Sequence, residues 1–297
     1  MEELVRQVPA WRRASLVVEP LPGGITNRNY VVTVDDHRYV VRVPGERTEL
    51  LGIDRIGEVE ATSRAADLGI GPAVFGKLPG TGTLITEFVP GSQLDNYALT
   101  THLEGVVELV HRFHHGGRLR SSFPVHRVVE WHARDAGAHG VMPPSSYERL
   151  HQHSRRIEAA FAAAPSAPVA CHNDLLPANV LVGDDRVWLL DYEYAGMNDA
   201  FFDLANLSVN SSLGDADDER LLRLYFGDVS ASRWARLQLM KCMSEFREGM
   251  WAVVQQAIST LDTDFVAYAD ERLTRCESLA ARIEFASWLD DAARHPA

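Results

Sequence analysis

CHNDLLPANVL (residues 171–181), followed after a short β-like run by LLDYEYAGMND (189–199), is the stretch on which the reading of this chain turns. His172, Asp174 and Asn179 stand in the spacing H-x-D-x-x-x-x-N, and Asp191 follows the apolar run Val187 to Leu190. Phosphoryl transfer from ATP asks for few parts: a carboxylate that accepts or orients a hydroxyl proton, and ligands that hold Mg²⁺ across the phosphates. Mg²⁺ prefers oxygen ligands and is commonly held by one or two carboxylates together with phosphate oxygens. Asp174 therefore reads as the candidate base, and Asn179 and Asp191 as the candidate metal ligands. The bland alternative is an Asp/Asn-rich turn between two strands. The order of the motifs, with a β–β spacing between them, argues against it.

Upstream, Pro22-Gly23-Gly24-Ile25-Thr26-Asn27 precedes RNYVVTVDDHRYVVRV (28–43), whose alternation and β-branched content predict a hairpin around an Asp35-Asp36 turn. Glycines there let backbone N–H groups approach phosphates, so Gly23, Gly24, Thr26 and Asn27 are candidate ATP-binding residues. Arg42 on the second strand is a fixed cation suited to the α/β-phosphates, and Glu58 or Glu60 on the next predicted helix (about 54–68) is its candidate partner. That helix ends at Gly69, with Gly71-Pro72 beyond it. Two further short strands are expected at 73–79 and 83–89, separated by Pro79-Gly80-Thr81-Gly82.

Beyond Pro90-Gly91 helical periodicity dominates, over 101–115, 146–164, 216–226, 232–258 and 264–289. Residues 166–206 interrupt it with Pro168 and two β-like runs, Asn179 to Val182 and Val187 to Leu190. The expected fold is α+β and two-lobed: a small antiparallel β lobe carrying one helix (1–91, nucleotide-binding) and a larger, mostly helical lobe (92–297, catalytic and substrate-binding).

Composition sets the outer limits. Hydrophobic residues make up 46% of the 297 and charged residues 24%, an ordinary globular balance. A net charge of −12 argues against a non-specific grip on nucleic acid. Cys171, Cys242 and Cys276 are odd in number and far apart, so neither a disulfide framework nor a zinc knuckle is expected. No signal-peptide core and no apolar run near 18 residues is visible, so a cytoplasmic location without membrane insertion is expected. His111, His114 and His115 share a helix face at a spacing that could bind a metal, but no carboxylate or cysteine motif completes a site. Arg118 and Arg120 read as an ordinary solvated stretch.

These residues resemble the choline/ethanolamine kinases, including the bacterial choline kinases of the lipopolysaccharide-modification type, within the aminoglycoside phosphotransferase group and the protein-kinase-like superfamily. The likeness runs through GGITNRNY (23–30), YVVRVPGERTELLGIDR (39–55), ITEFVPG (85–91), CHNDLLPANVL, LLDYEYAGMNDAFFDLAN (189–206) and GMWAVVQQAIS (249–259). It implies the kinase fold, ATP and Mg²⁺, Asp174 as base, Asn179 and Asp191 as metal ligands, and Arg42 in the role of the kinase lysine paired with Glu58. It also implies Glu87, Phe88 and Val89 as the hinge that binds adenine through its backbone. The substrate site implied is a cation cage in which Trp251 and Tyr268 match aromatic positions and Glu193 lies in the D-x-E motif. Arg247 stands where the family often has Trp, and Asn210 where it has Glu; an arginine there repels a trimethylammonium unless Glu245 or Glu248 neutralises it. The expected acceptor is a small amino alcohol such as choline or ethanolamine. The alternatives are the same chemistry on an aminoglycoside, thiamine-like cation, amino sugar or zwitterion, and, from another class, a non-catalytic pseudokinase. The oligomeric state is not readable from the sequence.

Overall fold

The structure is a computed structural model that describes residues 1–22, 24, 26–184 and 186–294. A short helix α1 (Glu2–Val5) precedes β1 (Leu16–Leu21), β2 (Asn27–Val34) and β3 (His37–Pro44). Helix α2 (Arg55–Asp67), β4 (Val74–Leu78) and β5 (Thr83–Glu87) follow. The five strands form one antiparallel sheet in the order β1-β2-β3-β5-β4. Val34 pairs with His37, so Asp35-Asp36 is the two-residue turn that the alternation predicts, and Asp35 takes the left-handed φ of 51° such a turn needs.

The pleat sends alternate residues to opposite faces. Val32, Val34, Val41 and Ile85 pack against Val5, Val8 and the buried Trp11, so the N-terminal segment covers one face of the sheet. Asn29, Val40, Arg42, Leu84 and Thr86 share the other face and line a cavity of about 570 Å³. β1 was not anticipated from the sequence, because Pro20 and Glu19 break its apolar alternation.

From residue 92 the chain forms β6 (Ser92–Gln93), α3 (Asn96–His114), α4 (Val125–Ala138), α5 (Tyr147–Ala163), β7 (Val169–Cys171), β8 (Val180–Val182), β9 (Val187–Leu189) and β10 (Gly196–Asn198). It continues as α6 (Ala200–Asn210), α7 (Asp215–Phe226), α8 (Ala231–Ile258), α9 (Phe265–Ala280) and α10 (Phe285–Arg294). Asp95, Asp199, Ser230 and Asp264 cap α3, α6, α8 and α9 by accepting a backbone N–H of the first turn. β7 pairs with β10, and β6-β8-β9 form a second small sheet. Gly91, at the join, admits no side chain: a Cβ there would lie 2.6 Å from the Val182 carbonyl oxygen. We place the division between lobes at this crossing. Among the described residues no helix is long and apolar enough to cross a membrane.

Helix α8, about 42 Å long at 1.5 Å per residue, runs through the middle of the larger core and is buried on nearly every side from Ala235 to Gln255. Its buried charged side chains each find a partner, although Arg236 Nε and Arg247 Nε and Nη2 have none of their own. Lys241 meets Asp218 at 2.6 Å, Arg236 donates to the Ala292 carbonyl at 3.0 Å, and Glu245 meets Arg272 at 3.2 Å. Without such partners a buried charge costs several kcal/mol. The single helix expected over 264–289 is instead two, broken at Ala281. Phe285, Trp288 and Ala292 turn inward against α5 and α8, and one straight helix would leave them in solvent.

Gly249 lets α9 lie close on α8, since a Cβ there would meet Leu273 Cγ at 2.7 Å and Cδ2 at 2.6 Å. Gly249→Ala gains about 1 kcal/mol of helix propensity but overpacks a closed interface, which costs about 1–3 kcal/mol. A net loss is expected, read as a lower urea midpoint at unchanged m-value; a raised midpoint would show that the crossing can relax.

Candidate active site

The loop between β7 and β8 carries His172, Asn173 and Asp174, and its path is fixed from three directions. Asp203 of α6 accepts the backbone N–H of His172 on Oδ2 and that of Asn173 on Oδ1, each at 2.7 Å. One turn along α6, Asn206 accepts the N–H of Leu175 and donates to Ser244 of α8. Asn173 adopts φ = 64°, a conformation its short polar side chain tolerates, and its amide donates to the Tyr194 carbonyl at 3.0 Å. His172 Nε2 donates to the Leu190 carbonyl at 2.8 Å, leaving Nδ1 to accept the N–H of Asp174 at 3.3 Å. One imidazole thus ties the loop that carries Asp174 to the residue before Asp191.

Asn179 Nδ2 donates to the Asp174 carbonyl at 2.9 Å, and the Leu190 N–H donates back to the Asn179 carbonyl at 2.8 Å. Asp191, at φ = 66°, is a second non-glycine residue in left-handed conformation, and such strain concentrates at functional sites. Both side chains line the cavity. An amide oxygen and a carboxylate form an oxygen-only donor set, which suits a hard dication such as Mg²⁺.

Arg42 pairs with Glu58 at 3.0 Å and also with Asp191. Glu58 is buried and takes Arg55 at 2.8 Å, and Arg55 reaches on to Glu193 at 3.3 Å. Asn27 Nδ2 donates to Glu193 at 2.8 Å. Glu60, the other candidate, instead accepts the N–H of Arg120 at 3.2 Å, so of the two glutamates Glu58 is the partner of Arg42. Gly24, Thr26 and Asn27 line the cavity; Gly23 lies outside the described residues.

Tyr194, Trp251 and Tyr268 also line the cavity, together with Glu248. Trp251 Nε1 donates to the Tyr194 hydroxyl at 2.9 Å, and the Tyr268 hydroxyl donates to Glu248 at 2.9 Å. Arg247 is fully buried, 2.6 Å from Glu248 and 3.4 Å from Asp174, with its guanidinium over the Tyr194 ring at 4.4 Å. Burial raises the Asp174 carboxyl well above the usual carboxylate range against the pull of Arg247, with Glu248, Asp191 and Glu193 adding to the rise. Glu193 is raised too, by burial and by the charge of Asp191.

The sequence candidates converge with a few adjustments. Glu87, Phe88 and Val89 line the cavity, but the N–H of Glu87 donates to Ala73 and that of Phe88 to Arg38. Asn210 does not line the cavity; it accepts from Arg272 at 3.3 Å, one layer behind Tyr268. The histidine triplet does not converge on a metal. His114 turns into the core toward Asp203, while His111 and His115 stack on each other at 4.1 Å. Sequence reasoning missed Arg55, Tyr194, Asp203 and Asn206. The last three lie inside the quoted 189–206 block, where their polarity amid apolar neighbours was the available signal.

Comparison with known proteins agrees with this geometry. Mouse (Mus musculus) ethanolamine kinase 2 is 28% identical, the match covering 90% of this chain and 77% of that protein. A choline/ethanolamine kinase family protein from Mesorhizobium loti is 28% identical in sequence, with a TM-score of 0.83 over 98% of this chain and 97% of its own. The choline kinase LicA from Streptococcus pneumoniae is 25% identical, with a TM-score of 0.82 over 95% and 99%. The profile of the phosphotransferase enzyme family (APH) matches residues 17–240, three quarters of the chain, and the chain belongs to that family.

Proposed function

We propose that this chain transfers the γ-phosphoryl group of ATP to the hydroxyl of a small amino alcohol, ethanolamine or choline. The observation that carries the reading is that one cavity collects these groups in a run of contacts. Arg42 meets Asp191, Asn179 bonds the Asp174 backbone, Arg247 links Asp174 to Glu248, and Glu248 accepts from Tyr268 beside Trp251 and Tyr194.

The residues act as follows. Asp174 accepts the proton of the acceptor hydroxyl as its oxygen bonds to the γ-phosphorus and the bond to the β-bridging oxygen breaks, releasing ADP. Asn179 and Asp191 would hold Mg²⁺, which when bound neutralises charge on the β- and γ-phosphates. Arg42 presents a planar donor set to the phosphates from a position fixed by Glu58. With the N–H groups of Glu87 and Phe88 already spent, the Val89 N–H is the donor we assign to adenine.

Arg247 does not oppose a cationic acceptor. Glu248 and Asp174 neutralise it, and it is stacked on Tyr194 rather than directed at solvent. That leaves Trp251 and Tyr268 as π faces with Glu248 and Glu193 as acids, a setting that favours an amine over an acid-bearing acceptor. The fully retained Asp174, Asn179 and Asp191 favour an enzyme over a non-catalytic nucleotide binder. A coupled ADP-release assay with ethanolamine, choline, an aminoglycoside and a hydroxy-amino acid decides among them. ADP release with neither amine, in protein that binds Mg-ATP, would remove the amino-alcohol reading.

Asp174→Asn is expected to leave ATP binding intact while lowering kcat about 10²–10⁴-fold; turnover above half of wild type would show that the base is another group. Asp191→Ala is expected to abolish Mg²⁺-dependent turnover, and Asn179→Ala to reduce it less, because a neutral amide contributes less than a carboxylate. A magnesium titration of ADP release reads both, and full activity of the Asp191 variant at saturating Mg²⁺ would contradict its role. Losing a desolvated cation–π contact costs about 2 kcal/mol, so Trp251→Ala should raise KM for the amine roughly 30-fold with KM for ATP unchanged. Equal rises in both would place the indole in the fold rather than in the acceptor site.

A further inference from the structure

We infer that His114, at the end of α3 and outside the cavity, is a positioning residue that sets the base-bearing loop through Asp203. The inference rests on Asp174 as the base. Three buried groups lie together beneath that loop: His114, Cys171 and Asp203. His114 Nε2 is 2.9 Å from Asp203 Oδ2, and Nδ1 is 2.6 Å from the Tyr225 hydroxyl of α7. Both side chains of the His114–Asp203 pair are shut off from solvent. The same carboxylate holds the N–H groups of His172 and Asn173, the two residues before Asp174.

The donor inventory fixes how the relay works. Asp203 has only acceptors, so the ring proton sits on Nε2 and points at it. Nδ1 is then an acceptor, and the Tyr225 hydroxyl donates to it. Asp203 Oδ2 therefore takes two donors, one from the loop backbone and one from His114. Its Oδ1 takes the Asn173 N–H. Removing the imidazole leaves a buried carboxylate short of one donor and free to turn about its side-chain torsions. A turn of that carboxylate drags the 172–173 backbone, and Asn173 is already in a conformation that only its surroundings maintain. A displacement of about 1 Å in a reacting group can cost 10²-fold in rate.

A metal site is the competing reading of the same cluster. Its ligands are already engaged: both Asp203 oxygens hold backbone N–H groups, and the Cys171 thiol is pushed well upward by burial, away from the thiolate that binds metal. Binding there would have to dismantle the clamp.

The test compares His114→Leu, His114→Gln, Tyr225→Phe and Asp174→Asn with wild type, using Mg-ATP and ethanolamine. Kinetics are run well below each variant's melting temperature and scaled to folded protein. His114→Leu is expected to lower kcat about 10–100-fold while KM for ATP and the Kd for ADP stay within about two-fold. His114→Gln, whose Nε2 can reach Asp203, should recover most of the loss. Tyr225→Phe removes one hydroxyl and keeps the ring, and it should cost about three- to ten-fold in kcat, in line with one lost hydrogen bond. If His114→Leu does not fold, the Tyr225 and Gln variants still decide. Wild-type kcat in His114→Leu or, where that variant does not fold, in Tyr225→Phe would overturn the inference, as would a parallel weakening of ADP binding. One equivalent of Zn²⁺ bound by wild type and lost in His114→Gln would overturn it in favour of a metal site. Failure of the base assignment is separate: it shows as an active Asp174→Asn, whatever the His114 variants do.

Discussion

Two backbone N–H groups held by one buried carboxylate carry much of this structure. Asp203 grips residues 172 and 173 just before Asp174, so the direction in which Asp174 leaves the loop is set from beneath by α6. Charge-assisted hydrogen bonds of this kind are about twice as strong as neutral ones, and burial removes the water that would compete. The left-handed turn at Asn173 persists because that clamp and the Asn173 amide leave no alternative path. Asn206 repeats the device three residues later, and through Ser244 it ties the loop to α8.

The cavity itself is a problem in charge. Asp174, Asp191, Glu193 and Glu248 line it with Arg42 and Arg247, and Glu58 and Arg55 stand just behind. Burying so many ions costs several kcal/mol each unless every one has a partner. The pairs are therefore shared: Arg42 serves Glu58 and Asp191, Arg55 serves Glu58 and Glu193, and Arg247 serves Asp174 and Glu248. The upward displacement of Asp174 and Glu193 is the residue of this crowding, since burial and neighbouring carboxylates outweigh the arginines. Positive charge brought close to either carboxylate would act in the opposite sense, lowering it and favouring its ionised form.

How much of this was legible in the sequence follows the physics of each part. The hairpin, Arg42 and the 171–191 motifs were readable because strand alternation and fixed spacings are local, whereas the choice of Glu58 over Glu60 came only from the family resemblance. α4 and α6 were not readable. The interruption expected over 166–206 hid α6, whose residues from Phe201 to Val209 are all buried, so that its polar Asp203 and Asn206 face the 172–175 backbone instead of marking a solvent side. α8 was found, but its buried Arg236, Lys241, Glu245 and Arg247 look like a solvated stripe until their partners on other elements are known. The histidine triplet showed the opposite failure: helical spacing suggested convergence, yet His114 faces inward and its two neighbours do not.

Arg247 shows why substitution at a family position must be read with its neighbours. Taken alone, a guanidinium in place of an indole turns a π face into a repelling cation. In the structure it has become part of the machinery that balances charge, lying over Tyr194 and bridging Asp174 to Glu248. Glu248 in turn accepts the Tyr268 hydroxyl, which accepts Arg272, which holds Glu245 and Asn210. The Arg247 guanidinium is thus coupled to a chain of polar and ionic contacts between α8 and α9. A pocket with fewer π faces and more fixed carboxylate oxygens suits an ammonium that donates hydrogen bonds better than one that is fully methylated. In the acceptor site proposed above, that physical distinction separates ethanolamine from choline, and it turns on the residues paired around Arg247 and Glu248.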